Sequence, residues 1–270
     1  MQTNNLPWQI KMFRRSIKKQ LKLEALLELL GDTHGKKCLL VTCGDNNGAL
    51  NWYFRQHGGK WTWADVSGEN NDQIAQLLNE PVLALQEDRF EMPDDQFDCV
   101  VSIDVLEHLP QDQPFLRELK RVLKPGGKAV VTVPNGDDRL LANRIKWKLG
   151  MTPEVYGHTR AGYTIAELSK SIETAGLQPE ASGGYSRFFT EMIELVINFG
   201  YVRVLSKKRG GAPPGHIAPV SSGELKTHGM AYRLYSLIFP FAWAISRLDG
   251  LMPRRTDNAV VVAALKQAAR

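Results

Sequence analysis

Apolar residues along this chain fall into short runs that alternate with segments of helical spacing. Five runs have the length of buried strands: 38–42, 61–66, 82–85, 97–103 and 128–133. Segments whose apolar residues recur every three or four positions predict helices at 49–57, 73–78, 114–123 and 165–175. Alternating units of this kind predict a parallel sheet with helices on both faces, which is the doubly wound α/β class.

Two more strands are predicted after these units, at 177–185 and in the final apolar run 258–265, so that the sheet has seven strands. A long insert, 188–257, separates them. Its middle, 209–223, is rich in Gly, Pro and Ser and predicts a mobile loop. The stretch 233–247 that follows is almost wholly apolar and predicts a helix broken at Pro240.

The first segment of the chain predicts one amphipathic helix over residues 8–30, which ends at Gly31. Its basic residues precede the first acid, Glu24; they are Lys11, Arg14, Arg15, Lys18, Lys19 and Lys22. The expected organisation is therefore a basic helix in 1–35, a core formed by 36–187 with 258–266, and a helical insert in 188–257.

Composition narrows the class of protein. Hydrophobic residues make up 43% of the chain and charged residues 23%, as in globular proteins, and we expect no run of ~20 apolar residues that would span a membrane. The net charge of +5 suits an anionic membrane, a nucleic acid or an acidic substrate. Three cysteines without CxxC spacing predict reduced thiols, no metal site and a cytoplasmic location. The first residues are basic and contain no continuous apolar stretch, so we expect no signal peptide.

Candidate ligand-binding residues follow three predicted strands. Gly44 and Gly48 would let the backbone approach a ligand closely, although a plain tight turn has the same pattern. Asp65, after the second strand, can accept hydrogen bonds from both hydroxyls of a ribose, or it can be a solvated or helix-capping aspartate. Asp88 follows the third strand, where it is either an adenine contact or a surface carboxylate.

The most informative stretch lies between residues 93 and 135. It contains FDCVVSIDVLEH, residues 97–108, and LKRVLKPGGKAVVTVPN, residues 119–135. These phrases resemble the fourth and fifth strand regions of class I S-adenosyl-L-methionine (SAM)-dependent methyltransferases, in the ubiquinone/menaquinone-type subgroup. The resemblance covers about 37–184 and the last strand, and it implies a Rossmann-like fold with a reversed final strand beside the fifth.

The resemblance also implies roles for individual positions. The SAM-binding residues would be Gly44, Gly48, Asp65 at the ribose, Asp88 and Arg89 at the adenine, and Asp104 and Leu106 on the methionine side. The family usually has an acid at the end of its first strand and a third glycine in the loop, where this chain has Thr42 and Asn46. Asp45 is the candidate substitute for the missing acid, and a non-catalytic relative is the alternative.

Methyl transfer from a sulfonium depends mainly on alignment, but a hydroxyl acceptor also needs a base. His108, just after the fourth predicted strand, and His158, in a loop after the fifth, are the candidates; both also have structural interpretations. An acceptor that reacts at carbon or is already ionised would need neither.

The sequence leaves three functions open. The acceptor is expected to be a lipid or lipid-linked molecule, with the basic helix and the apolar insert lying on an anionic membrane. The alternatives are a soluble small molecule or sugar, with the insert as a lid, and a non-catalytic partner subunit; both helices can also pack on the core or form a dimer contact. A nucleic acid is not expected, because the basic residues cluster in one helix and no Asn-Pro-Pro-aromatic motif is present.

Overall fold

The computed structural model describes residues 6–44, 46–200 and 229–268, without the side chains of 200 and 229–234. A seven-stranded sheet in the order β3-β2-β1-β4-β5-β7-β6 forms its centre. The strands are β1 (Lys37–Thr42), β2 (Lys60–Asp65), β3 (Val82–Ala84), β4 (Phe97–Ile103), β5 (Leu123–Pro134), β6 (Gln178–Tyr185) and β7 (Ala259–Leu265). The first five are parallel, and β7 runs antiparallel between β5 and β6. The predicted doubly wound fold is confirmed.

Helices cover both faces of the sheet. They are α1 (Trp8–Phe13), α2 (Ile17–Leu30), α3 (Ala49–Gln56), α4 (Asn71–Leu78), α5 (Asp112–Val122), α6 (Leu141–Lys148), α7 (Ile165–Thr174), α8 (Phe188–Gly200) and α9 (Gly229–Ser246). Short 3-10 turns occupy Pro153–Tyr156, Arg247–Leu251 and Arg254–Thr256. Because the central strands are covered on both sides, they appear in the sequence as continuous apolar runs, whereas the edge strands β3 and β6 are largely exposed. Successive residues of β1, such as Cys38 and Leu39, thus belong to the cores on opposite faces of the sheet.

The predicted single helix over 8–30 is wrong, because the chain turns between α1 and α2. Ser16 begins α2 by accepting a hydrogen bond from the Lys19 amide on its side chain. The turn lets α1 pack against α3, where the rings of Phe13 and Tyr53 lie 4.5 Å apart. The far end of α2 buries Leu26 and Leu30 against the sheet. One straight helix would not reach both surfaces.

The insert is attached to the core where α9 ends. The carboxylate of Asp249 accepts hydrogen bonds from the amides of Arg187, Phe189 and Thr190, so it satisfies the free amides at the start of α8. The Arg187 guanidinium also contacts Asp257 at 2.7 Å. The turn after α9 is thereby fixed to the segment that enters β7.

The predicted break at Pro240 is wrong. α9 continues through this residue and loses the one backbone hydrogen bond that an amide at this position would donate. The glycine-rich stretch 209–223, expected to be a mobile loop, lies outside the described residues. Among the helices that are described, none is long and apolar enough to cross a membrane.

Candidate active site at the ends of β1, β2 and β4

The loop after β1 has the conformation that its glycines allow. Gly44 and Gly48 both have positive φ, +67° and +87°, a region that residues with a Cβ rarely adopt. A Cβ on Gly48 would also lie 3.0 Å from the side chain of Leu77 in α4. The loop is therefore a tight turn of defined conformation that leads into α3. Asp45, the candidate substitute for the family acid, lies outside the described residues.

Asp65 is fully buried at the end of β2, and its carboxylate binds this loop. It accepts hydrogen bonds from the Thr42 hydroxyl at 2.6 Å and from the Gly44 amide at 3.1 Å. On its other side it accepts from the amide and hydroxyl of Ser67 and from the Gly68 amide, at 2.8–2.9 Å. The residue predicted to bind a ribose thus already joins the loops after β1 and β2.

The two departures from the family pattern take part in the same network. Thr42, where the family has an acid, donates to Asp65, and an acid there would instead place two carboxylates in contact. The Asn46 side chain donates to Asn51 at 2.7 Å and accepts from the Gly48 amide at 3.0 Å. Thr42 and Asn46 therefore hold the loop in shape by polar contacts of their own.

Three other predicted SAM ligands take no part in this network of hydrogen bonds. Asp88 and Arg89 are exposed in a tight turn after β3, in which Gln86 and Arg89 pair as an isolated bridge. Leu106 is fully buried in the hydrophobic core. Their assignments to the adenine and the methionine end remain predictions.

Asp104 lies at the end of β4 in a left-handed conformation, with φ of +49°. Its carboxylate forms an ion pair with the Lys22 ammonium of α2, and both residues line a small cavity beside Thr42 and Asn46. The methionine end of SAM carries an ammonium and a carboxylate, so this pair of opposite charges fits that end of the cofactor. The sequence did not indicate Lys22, because eighty residues of chain separate it from β4.

A larger cavity of about 180 Å³ opens on the other side of Asp104 and Lys22. His108 and His158 line it together with aromatic and apolar side chains that include Trp147, Met151, Tyr156 and Leu195. The two cavities share Lys19, Lys22 and Asp104 in their walls. A cofactor whose methionine end reached Lys22 and Asp104 would therefore face an acceptor in the large cavity across these residues.

The structure brings the two predicted catalytic histidines together. Their rings meet edge to face with centroids 4.8 Å apart. The His108 Nδ1 lies 3.1 Å from the Gly157 carbonyl oxygen, a contact that in the neutral ring selects the tautomer with the proton on Nδ1 and the lone pair on Nε2. Burial lowers the pKa of His158 to about 4, and the neighbouring His108 adds to this effect. His158 is thus neutral at physiological pH.

Glu107 stands beside this pair, since one potential ligand atom from each of Glu107, His108 and His158 lies within 4.8 Å of the others. The Thr159 amide donates to the Glu107 carbonyl at 2.8 Å and so holds the His158 loop on the end of β4. A carboxylate with two imidazoles is a donor set that suits a divalent transition metal. No metal site is predicted from the sequence, because His158 comes from a distant loop and no spacing rule connects it to Glu107.

The helices α2, α6 and α8 form one wall of the large cavity, and this wall carries a cluster of charged side chains. Glu191 lies between the ammonium groups of Lys18 at 2.6 Å and Lys146 at 2.9 Å, and it also accepts from the Ser186 hydroxyl. Burial alone would raise the pKa of Glu191, but the attraction of Lys146 and Lys18 outweighs it and lowers the pKa to about 2. The expectation that the basic residues of the first segment face a membrane is therefore wrong for Lys18 and Lys22.

Comparison with known proteins agrees with this architecture. Residues 39–131 match a family described as methyltransferase domain. The chain is 39% identical over 94 residues to a Mycolicibacterium smegmatis protein named "Probable S-adenosylmethionine-dependent methyltransferase", a match that covers 34% of this chain and 33% of that protein. It is 26% identical to the ubiquinone biosynthesis O-methyltransferase of Aeromonas salmonicida over 58% of this chain and 69% of that protein.

The fold is also found among solved structures. A chain from the complex between the Haloferax volcanii Trm112 methyltransferase activator and a methyltransferase superposes with a TM-score of 0.57. The superposition covers 96% of this chain and 93% of the other at 14% identity, so it shows the fold alone. The sequence matches identify residues 39–131 as a methyltransferase domain and support a class I SAM-dependent methyltransferase with SAM as its cofactor.

Proposed function

We propose that this protein transfers the methyl group of SAM to a hydroxyl oxygen of a small acceptor bound in the large cavity. The observation that carries the proposal is the histidine pair in the wall of that cavity, next to the residues that it shares with the cofactor side. Hydroxyl acceptors need a proton acceptor, and the SAM sulfonium supplies the electrophilic carbon. The curated relative from Aeromonas salmonicida is named as an O-methyltransferase.

We assign the role of base to His108 Nε2. The Gly157 carbonyl fixes the proton on Nδ1, which leaves Nε2 to accept the acceptor's hydroxyl proton as the new carbon–oxygen bond forms. His158, which packs edge-on against His108, is a positioning residue. Its burial keeps it uncharged, so it does not repel the imidazolium that forms on its neighbour.

The acceptor class follows from the walls of the cavity. Trp147, Met151 and Tyr156 offer flat and apolar contacts, whereas Glu194 and the Lys18–Glu191 pair offer polar ones. A molecule that combines a ring or short apolar part with hydroxyl groups fits such a mixed lining. The headgroup of a lipid or of a lipid-linked sugar has this character, and a soluble phenol or sugar shares it.

The test measures S-adenosylhomocysteine release and O-methylated product with SAM and a panel of 3,4-dihydroxybenzoate, simple phenols and methyl glycosides. We expect transfer to at least one of them and a rate about 100-fold lower in His108→Ala, with unchanged affinity for S-adenosylhomocysteine. The matched variant His158→Ala should lose less. Cofactor binding without transfer to any acceptor of the panel would instead favour a non-catalytic partner protein.

A further inference from the structure

One face of the insert is apolar and exposed. Leu237 and Phe241 of α9 keep 73% and 72% of their surface exposed, and Leu251 in the turn that follows keeps 84%. We call this surface the apolar ridge; its residues are Leu237, Ile238, Phe241, Trp243, Ile245, Leu248 and Leu251. Most of them recur at the three- and four-residue spacing of one helix face. Contiguous exposed apolar surface of this kind marks an interaction site.

The charged side chains around the ridge are basic. Between residues 235 and 256 the exposed charges are Arg247, Arg254 and Arg255. The one acid in this range, Asp249, is buried, and it is engaged by the amides at the start of α8. The guanidinium of Arg247 lies 4.4 Å from the centre of the Trp243 ring, at the edge of the ridge.

The turn between α1 and α2 adds basic residues to the rim of charged side chains around the ridge. The Tyr235 hydroxyl of α9 donates to the Arg15 carbonyl at 2.6 Å, and the Arg15 guanidinium lies 5.1 Å from the centre of the Phe239 ring. The exposed Arg14 is therefore held beside α9. Lys18 and Lys22 are not part of this surface, because they are paired with Glu191 and Asp104 in the cavity walls.

We propose that the apolar ridge docks this protein on an anionic phospholipid membrane, with α9 lying in the plane of the interface. Apolar side chains on one face of a helix enter the boundary between headgroups and acyl chains, and arginines at its edge bind lipid phosphates. Charge complementarity favours this occupant over a second copy of the chain, because two copies would bring two basic rims together.

Docking would also place the cavity close to the membrane. α8 packs against α9 and carries the cavity-lining residues Glu191, Glu194 and Leu195. One layer of helix, about 8–10 Å between axes, therefore separates the ridge from the cavity wall. This inference deepens the proposed function, because it names the surface from which a lipid or lipid-linked acceptor would enter.

The experiment is co-sedimentation of the full chain with vesicles of phosphatidylcholine alone and with vesicles that also contain phosphatidylglycerol. We expect binding to the anionic vesicles that weakens at high salt. Phe241→Ser with Trp243→Ser should lower the partition at least tenfold. Arg254→Gln with Arg255→Gln should lower it about 30-fold, since each charge near an anionic surface contributes about 1 kcal/mol.

The matched control is Leu83→Ser, which removes an exposed apolar side chain on β3, at the opposite edge of the sheet. It should bind vesicles as the unmodified protein does, and every variant should keep its affinity for S-adenosylhomocysteine. The proposal would be overturned if each of the two double variants bound anionic vesicles as strongly as the unmodified protein. Equal binding of the unmodified protein to neutral and anionic vesicles would also overturn it. A dimer that the Phe241 and Trp243 changes dissociate, without vesicle binding, would assign the ridge to a second copy. Vesicle binding is read without any methyl acceptor, so its outcome is independent of the proposed reaction.

Discussion

Asp65→Ala tests whether the buried carboxylate at the end of β2 organises the cofactor site or serves only as a ligand. In the folded protein this side chain accepts five hydrogen bonds, three of them from the amides of Gly44, Ser67 and Gly68. Each buried amide that loses its partner costs about 1–3 kcal/mol, less where water can enter. We therefore expect Asp65→Ala to lower the free energy of unfolding by about 3–5 kcal/mol.

The same substitution should weaken the binding of S-adenosylhomocysteine at least tenfold in the protein that remains folded, because the loops after β1 and β2 lose their common acceptor. Asp65→Asn keeps the shape of the side chain but turns an amide donor toward the Gly44 or Ser67 amide, so its cost should be smaller, about 1.5–3 kcal/mol. Urea denaturation and titration calorimetry measure the two quantities separately.

The exposed Asp88 offers the control. Asp88→Ala should leave stability within about 0.5 kcal/mol of the unmodified protein, whatever it does to the affinity. If Asp65→Ala retains full stability and loses only affinity, the network is not a structural support in solution. If it loses stability but binds the cofactor normally once folded, the ribose assignment of Asp65 is wrong.

Three further predictions concern Glu191 and His158. Glu191→Ala leaves the half-buried Lys18 and Lys146 side by side without their acid and should cost at most about 3–5 kcal/mol in urea denaturation. Glu191→Gln should cost less. An unchanged midpoint in both variants would show that Glu191 does not stabilise this cluster. Since the pKa of Glu191 is held at about 2, its contribution should be complete above pH 4.5 and fade as the pH falls through about 2. The pKa of His158 is lowered to about 4, so the unfolded chain binds the extra proton between pH 6.5 and 4, and stability should fall over that range by at most about 3 kcal/mol. His158→Leu should flatten this part of the pH profile, and a profile identical to that of the unmodified protein would show that another group causes it.

The central strands β1, β4, β5 and β7 could be predicted from the sequence because burial on both faces leaves continuous apolar runs bounded by loops. α6 was missed for the opposite reason. It is short and lies outside the sheet. Its apolar Leu141 is 56% exposed while its polar Asn143 is buried, so apolar spacing does not mark its buried face. The turn at Ser16 was missed because the apolar spacing continues across it, although the two helices pack on different surfaces.

The site could be predicted only in part. Gly44, Gly48 and Asp65 follow strand ends, where chain order and the geometry of a parallel sheet fix their neighbourhood. Lys22, Lys146 and Glu191 reach the cavity from helices whose packing no local pattern specifies. The contact between His108 and His158 likewise depends on how the loop at 153–160 folds back onto the end of β4, which the Thr159–Glu107 hydrogen bond fixes.

The position of β7 has a consequence for how the chain folds. β7 pairs with β5 on one side and with β6 on the other, yet both of these strands are synthesised before the insert and β7 after it. Until Ala259–Leu265 emerges from the ribosome, β5 keeps one unpaired edge and β6 has no partner strand, and unpaired edges attract other chains. The pairing of β7 with β5 and β6 joins residues that are far apart in sequence, and such non-local contacts slow folding. The nascent chain therefore depends on protection of these edges for as long as the insert takes to be translated.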